Sequence, residues 1–175
     1  MGTKSKSDIS NSAIRILLQE AGSFYDEARG FRPLKTHSSE WRDVLKLFSN
    51  SCCYCAVTLT DDNATDDHLV PINKTSLGLH AWGNIVPCCR LCNKEKHFGN
   101  WRDFIKKKSG SKFYKKRAAL IRSFQKKFKY NPNLNLQEVA NNLYQDVGEV
   151  SSVLISLRLK QARTIIESML ESSKL

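Results

Sequence analysis

The chain has 175 residues, 41% hydrophobic and 26% charged, with a formal net charge of +11. That length suits one compact domain, or a small catalytic module with helical additions, and argues against two large domains. Met1 to Asn11 is polar and lacks the apolar run of a secretory signal, and no apolar stretch approaches a membrane span, so a soluble, cytoplasmic protein is expected.

Ile9 to Ala21 carries Ile9, Ala13, Ile16, Leu17 and Leu18 near the helical period, with Gly22 as the expected stop. Gly30-Phe31-Arg32-Pro33 reads as a turn or extended connection. Ser38 or Ser39 is placed to cap a second helix through Phe48, whose Trp41, Val44, Leu45 and Phe48 follow three-and-four spacing. Next come the short knuckle Cys52-Cys53-Tyr54-Cys55, the start of a strand over Val57 to Thr60, and a polar turn at Asp61-Asp62-Asn63. Asp67 to Val70 is the next expected strand, closed by Pro71-Ile72-Asn73-Lys74. A loop through Gly78 leads to His80-Ala81-Trp82-Gly83-Asn84, and a short helix is expected over Arg90 to His97.

Beyond Gly99 the pattern is helical: Trp101 to Lys107, Lys112 to Tyr130 after a Ser109-Gly110 break, Leu136 to Val147, and Glu149 to Leu170, with a boundary at Asn131-Pro132-Asn133. Val150, Val153, Leu154, Leu157, Ala162, Ile165, Ile166, Met169 and Leu170 give the last helix a broad apolar stripe suited to core or self-association. The expected organisation is an N-terminal helical segment (1–50), a compact motif region (51–100), a basic helical region (101–130) and a C-terminal helical segment (131–175) for packing or oligomerisation.

Six cysteines in a reducing compartment point to metal before disulfides. Cys52 with Cys55, and Cys89 with Cys92, form two Cys-x-x-Cys pairs, the arithmetic of a four-thiolate structural Zn²⁺ site. Cys53 and Cys88 are left over, since only Cys52 and Cys89 give the required spacing. The alternative is buried thiols or a redox pair. The 33 residues between the pairs must hold the strands and the polar loop, so the ion would pin both ends of the region and supply much of its folding energy.

Charge is unevenly placed. Arg90 to Tyr130 holds 15 Lys and Arg against Glu95 and Asp103, a net +13, and the remainder nets −2. A basic segment of this kind suits a polyanion, nucleic acid above all, although a Lys run can also be a solvated helix face. Candidate nucleic-acid contacts are Lys94, Lys96, Arg102, Lys106, Lys107, Lys108, Lys112, Lys115, Lys116 and Arg117. Phe113, Leu120, Ile121, Phe124 and Phe128 interleave with them, so the segment should fold.

Between the cysteine pairs lie Asp67-His68-Leu69-Val70-Pro71 and Gly83-Asn84-Ile85-Val86-Pro87, and the second pair runs on as Cys89-Arg90-Leu91-Cys92-Asn93-Lys94-Glu95-Lys96-His97. This order resembles the HNH (His-Asn-His) endonucleases of the zinc-knuckle type, over roughly a quarter of the chain. The resemblance implies an α+β, mainly helical protein with a small ββα-metal core and structural zinc, flanked by N-terminal helices and a C-terminal helical region. It implies His68 as general base, Asp67 and Asn93 as ligands of a catalytic Mg²⁺ or Mn²⁺, and Asn84 as the residue that ties down the loop carrying the base. A hard cation held by carboxylate and amide oxygens is chemically sensible, and a neutral histidine near its usual pKa is a fitting base. Asp67 and His68 are adjacent and would face opposite sides of a regular strand, so a bend or strand end is required.

His97 lies four residues beyond Asn93 and would share its helix face as a phosphate or secondary metal contact. Asp66 is expected to be a spare, exposed carboxylate, His80 with Trp82 to be loop packing, and Trp101 a core residue; His37 carries no interpretable signal. The leading function is a metal-dependent endonuclease hydrolysing phosphodiester bonds of DNA, duplex being favoured, of restriction or defence type, with a homodimer or partner subunit docked through the C-terminal helices. The alternatives are a zinc-stabilised nucleic-acid-binding protein without chemistry, and a nuclease that acts on RNA or only with a partner subunit.

Overall fold

A computed structural model describes residues 5–35, 38–108, 111–131 and 135–172. Six helices and a two-stranded sheet are found there: α1 (Lys6–Glu27), α2 (Ser39–Leu47), β1 (Ala64–His68), β2 (Ile85–Cys89), α3 (Arg90–Lys96), α4 (Trp101–Lys108), α5 (Ser111–Lys127) and α6 (Gln137–Ser172). The protein is thus α+β and mainly helical. None of its described helices is long and apolar enough to cross a membrane.

Helix α1 opens with a Ser5–Asp8 capping box, which satisfies two otherwise orphaned backbone donors. It does not stop at Gly22. The helix runs on to Glu27, because Gly22 serves as a point of close approach: a Cβ there would lie 2.3 Å from the carbonyl oxygen of His80. Helix α2 is capped by Ser38, whose hydroxyl accepts from the Trp41 N–H at 3.2 Å.

The strand expected at Val57 to Thr60 reduces to a single bridge between Ser51 and Thr58. Asn63 takes over its backbone partners, accepting from the Thr60 N–H at 3.0 Å and donating to the Thr58 carbonyl at 3.1 Å, so the chain turns instead of extending. Strand β1 begins earlier than expected and ends at His68. It pairs antiparallel with β2, Asp67 opposite Val86 and His68 opposite Ile85. Every residue of β2 is buried, and α3 follows it directly, with Cys89 as its N-cap.

Two apolar clusters hold the assembly. One joins Trp41, Val44, Phe48, Tyr54, Ile85, Val86, Trp101, Ile105, Ile121 and Phe124 around the sheet, placing Trp101 in the core as expected. The other joins Ile14 and Leu18 of α1 to Ile72, Leu79, Tyr130 and Ala140 of α6. The two helices expected over Leu136 to Val147 and Glu149 to Leu170 are one continuous α6, since a single glycine, Gly148, costs only about 1 kcal/mol in a helix. Its stripe is not core: Val150, Val153, Leu154, Leu157, Ile165 and Ile166 are all exposed. The Ser109-Gly110 break and Pro132-Asn133, like His37 and the side chains of Met169 and Leu170, lie outside the described residues.

Candidate active site and zinc knuckle

Cys52, Cys55, Cys89 and Cys92 bring their Sγ atoms within 4.8 Å of one another, and Cys55 lies 3.8 Å from Cys89. A tetrahedral ion with Zn–S bonds of about 2.3 Å separates its sulfurs by about 3.8 Å, so the donor set fits zinc. The knuckle forms because Cys52 donates to the Val57 carbonyl at 2.8 Å and Ala56 donates back to Cys52 at 3.0 Å, with Ala56 taking a positive φ of 64°. Cys89 caps α3 by accepting from the Cys92 N–H at 3.5 Å. Cys53 and Cys88 are buried outside this cluster.

Tyr54, buried between Cys53 and Cys55 in the chain, links the knuckle to the site. Its hydroxyl donates to Asp67 Oδ2 at 2.5 Å, and Lys96 Nζ lies 2.9 Å from the same oxygen and 2.9 Å from the His68 carbonyl. Burial pushes the Asp67 carboxyl upward against the pull of Lys96 and Tyr54, and pushes the Tyr54 phenol well up, keeping it a donor.

Asp67 and His68 are the last two residues of β1, and both line one cleft with Asp66, Asn93, Lys94 and His97. The strand end is what lets adjacent residues share it. Asp66 is therefore half-buried in the cleft and not a spare surface carboxylate. Asn93 donates through Nδ2 to the Asp66 carbonyl at 3.3 Å, which uses the donor half of its amide. His97 ends α3 with φ 49° and stacks edge-on against Phe98.

Asn84 is fully buried. It accepts from the Val70 N–H at 2.7 Å and donates to the Val70 and Leu79 carbonyls at 3.0 and 2.8 Å, fastening the chain on both sides of the loop that follows His68. Gly83 beside it has φ +88°, and a Cβ there would meet Tyr130 at 2.5 Å.

The His68 ring makes a 3.0 Å contact from Nε2 to Nδ1 of His80, so His80 is part of the site and not loop packing alone. Burial, His80, Lys96 and Arg15 together push His68 down to about 3. This corrects the expectation of an ordinary histidine pKa: the free site holds cations around the ring, and the imidazole is neutral throughout the physiological range.

Two expected phosphate contacts face inward. Lys96 is 3% exposed and committed to Asp67, and Arg117 is 7% exposed and donates to the Cys52 and Cys53 carbonyls, bracing the knuckle. Neither cation reaches solvent to meet a phosphate. Lys108 pairs with Glu95, Arg102 lies over Trp101, and Lys106, Lys107, Lys115 and Lys116 are exposed. The Lys112 side chain lies outside the described residues. Arg15 of α1 and Arg90 also line the cleft. Arg15 sits some fifty residues before the dyad, with no local pattern to single it out.

No curated protein matches the chain. Residues 52–99 match the family model of HNH endonuclease, and the four cysteines clustered among them are arranged for zinc, consistent with the zinc-knuckle type of that family.

Proposed function

We propose that the protein is a metal-dependent endonuclease that hydrolyses phosphodiester bonds of duplex DNA, with His68 as general base and Asp67 and Asn93 holding a catalytic Mg²⁺ or Mn²⁺. The observation that carries this reading is one cleft containing the neutral His68 imidazole, the oxygen donors Asp67 and Asn93, and the cations Arg15, Arg90 and Lys94. A carboxylate and an amide oxygen suit a hard divalent ion, which when bound neutralises charge on the phosphoryl and leaving 3′ oxygens.

In this account His68 takes the proton of the attacking water. A bound phosphodiester adds negative charge beside the ring, so the imidazole becomes more basic once substrate is present. Arg15, Arg90 and Lys94 hold the backbone phosphates, and His97 adds a phosphate contact at the end of α3. Asn84 keeps the loop after the base in place, and Lys96 and Tyr54 fix the carboxylate of Asp67. Arg102, Lys106, Lys107, Lys115 and Lys116 extend the duplex-binding surface along α4 and α5.

Helical additions on both sides of the motif support a restriction or defence role, and the exposed apolar face of α6 supports a homodimer that places two clefts on one duplex. The organisation into an N-terminal helical segment, a nuclease core, a basic region and a C-terminal helical segment belongs to the same reading. A second reading, a zinc-stabilised binder without chemistry, is favoured by one observation: Asp67 is already paired with an internal cation, Lys96.

The test is incubation of the zinc-loaded protein with plasmid, linear duplex, single-stranded DNA and RNA, with Mg²⁺, Mn²⁺ or no added metal. Metal-dependent cleavage of duplex DNA is expected. Cleavage of RNA alone would reassign the substrate, and tight salt-sensitive binding without cleavage on any substrate would favour the binder.

A further inference from the structure

His80 Nδ1 lies 3.0 Å from His68 Nε2, with the ring centroids 5.2 Å apart. Two neutral imidazoles share one hydrogen only when one donates and the other accepts. The role read for His68 sets which: a neutral base carries its hydrogen on one ring nitrogen and takes a proton at the other, and Nε2 is the nitrogen engaged with His80. His80 Nδ1 is then the acceptor, and His68 donates through Nε2–H. The lone pair of His68 falls on Nδ1.

We propose that His80 is a positioning residue for the general base, holding His68 in the tautomer whose Nδ1 is open to take a proton from water. This rests on the reading of His68 as that base. The same histidine–acceptor logic operates wherever one ring nitrogen is fixed so that the other can react.

The N-terminal segment, outside the matched residues 52–99, holds His80 for the task. The His80 N–H donates to the Leu18 carbonyl of α1 at 3.3 Å. Gly22 of the same helix lies directly against the His80 backbone, leaving no room for a side chain. Two residues on, the Trp82 N–H donates to both Asp26 carboxylate oxygens at 3.1 and 3.2 Å, and its indole donates to the Arg32 carbonyl at 2.7 Å. Burial also lowers the His80 ring, keeping it neutral and able to accept.

The experiment uses the full zinc-loaded chain, ¹⁵N-labelled. Long-range ¹H–¹⁵N spectra of the four histidine rings report which nitrogen of each carries hydrogen, with His37→Gln and His97→Gln variants for assignment. His68 is expected as the Nε2–H tautomer. His80→Asn, whose side-chain oxygen can stand where Nδ1 was, is expected to keep that tautomer. His80→Leu is expected to lose it, and to lower kcat on duplex DNA by at least about tenfold, up to the 10²–10⁴ that a general base supplies. KM and zinc content should not change, and the Asn variant should recover most of kcat.

Hydrogen on Nδ1 of His68 in the wild type, or a Leu variant with unchanged tautomer and kcat, would overturn the proposal. The wild-type spectrum decides the tautomer even if the Leu variant fails to fold. A wild type with the expected tautomer but no cleavage would count against the nuclease reading and leave the histidine pair intact.

Discussion

Replacing Lys96 with Met removes a cation from the interior while keeping most of its aliphatic volume. Nζ lies 2.9 Å from Asp67 Oδ2 and 2.9 Å from the His68 carbonyl, with side-chain exposures of 0% for Lys96 and 8% for Asp67. Removing one partner of a buried ion pair costs about 3–5 kcal/mol. Tyr54 still donates to the stranded oxygen, and the carboxyl can take up a proton, so the lower end, about 3 kcal/mol, is expected. In a chain of this size each kcal/mol moves Tm by about 2–4 °C, giving a fall of about 6–12 °C. Lys94→Met, two positions earlier on α3, removes an exposed cation that lines the cleft and should change stability by less than about 0.5 kcal/mol while weakening duplex binding. Thermal unfolding by circular dichroism at equal zinc content, with duplex titrations beside it, compares the two variants. A Lys96→Met protein as stable as Lys94→Met, and weakened in DNA binding instead, would refute the interior role and return Lys96 to the phosphates.

Cys92→Ser should abolish zinc binding at the four-cysteine cluster, measured by native mass spectrometry, and a strong chelator should unfold the wild type; Cys53→Ser and Cys88→Ser should retain the metal, because they lie outside the sulfur cluster. Asn84→Ala leaves one amide and two carbonyls without their partner in the core, a cost of at least about 3 kcal/mol in urea unfolding. Arg15→Ala and Lys94→Ala should each reduce the slope of log binding constant against log salt by about 1; an unchanged slope for Arg15→Ala would remove α1 from the DNA-binding surface.

What could be read from the sequence was set by local spacing. The two Cys-x-x-Cys turns fix a four-sulfur cluster because each pair needs only one turn of backbone, and the Ser38 cap with Trp41 and Val44 behind it specifies α2 within nine residues. What could not be read depends on partners distant in the chain. Gly22 looks like a helix stop, yet it is required by the approach of His80, and whether a lysine is buried depends on a carboxylate 29 residues away in the case of Lys96 and Asp67. Arg117 resembles its neighbours in a basic run, and only the open carbonyls of Cys52 and Cys53 draw it inward. Arg15 and His80 enter the site by the packing of α1 against the loop before Asn84, a contact with no sequence periodicity behind it.

Single-turnover cleavage at saturating protein, comparing wild type with His68→Ala on the same labelled duplex with added Mg²⁺, decides whether this cleft cuts nucleic acid and whether His68 activates the water. Metal-dependent cleavage by the wild type, a loss of about 10²–10⁴ in rate for the variant and unchanged duplex affinity are the results expected of that role. Equal rates for the two proteins, or binding without cleavage by the wild type under every metal tried, would contradict it.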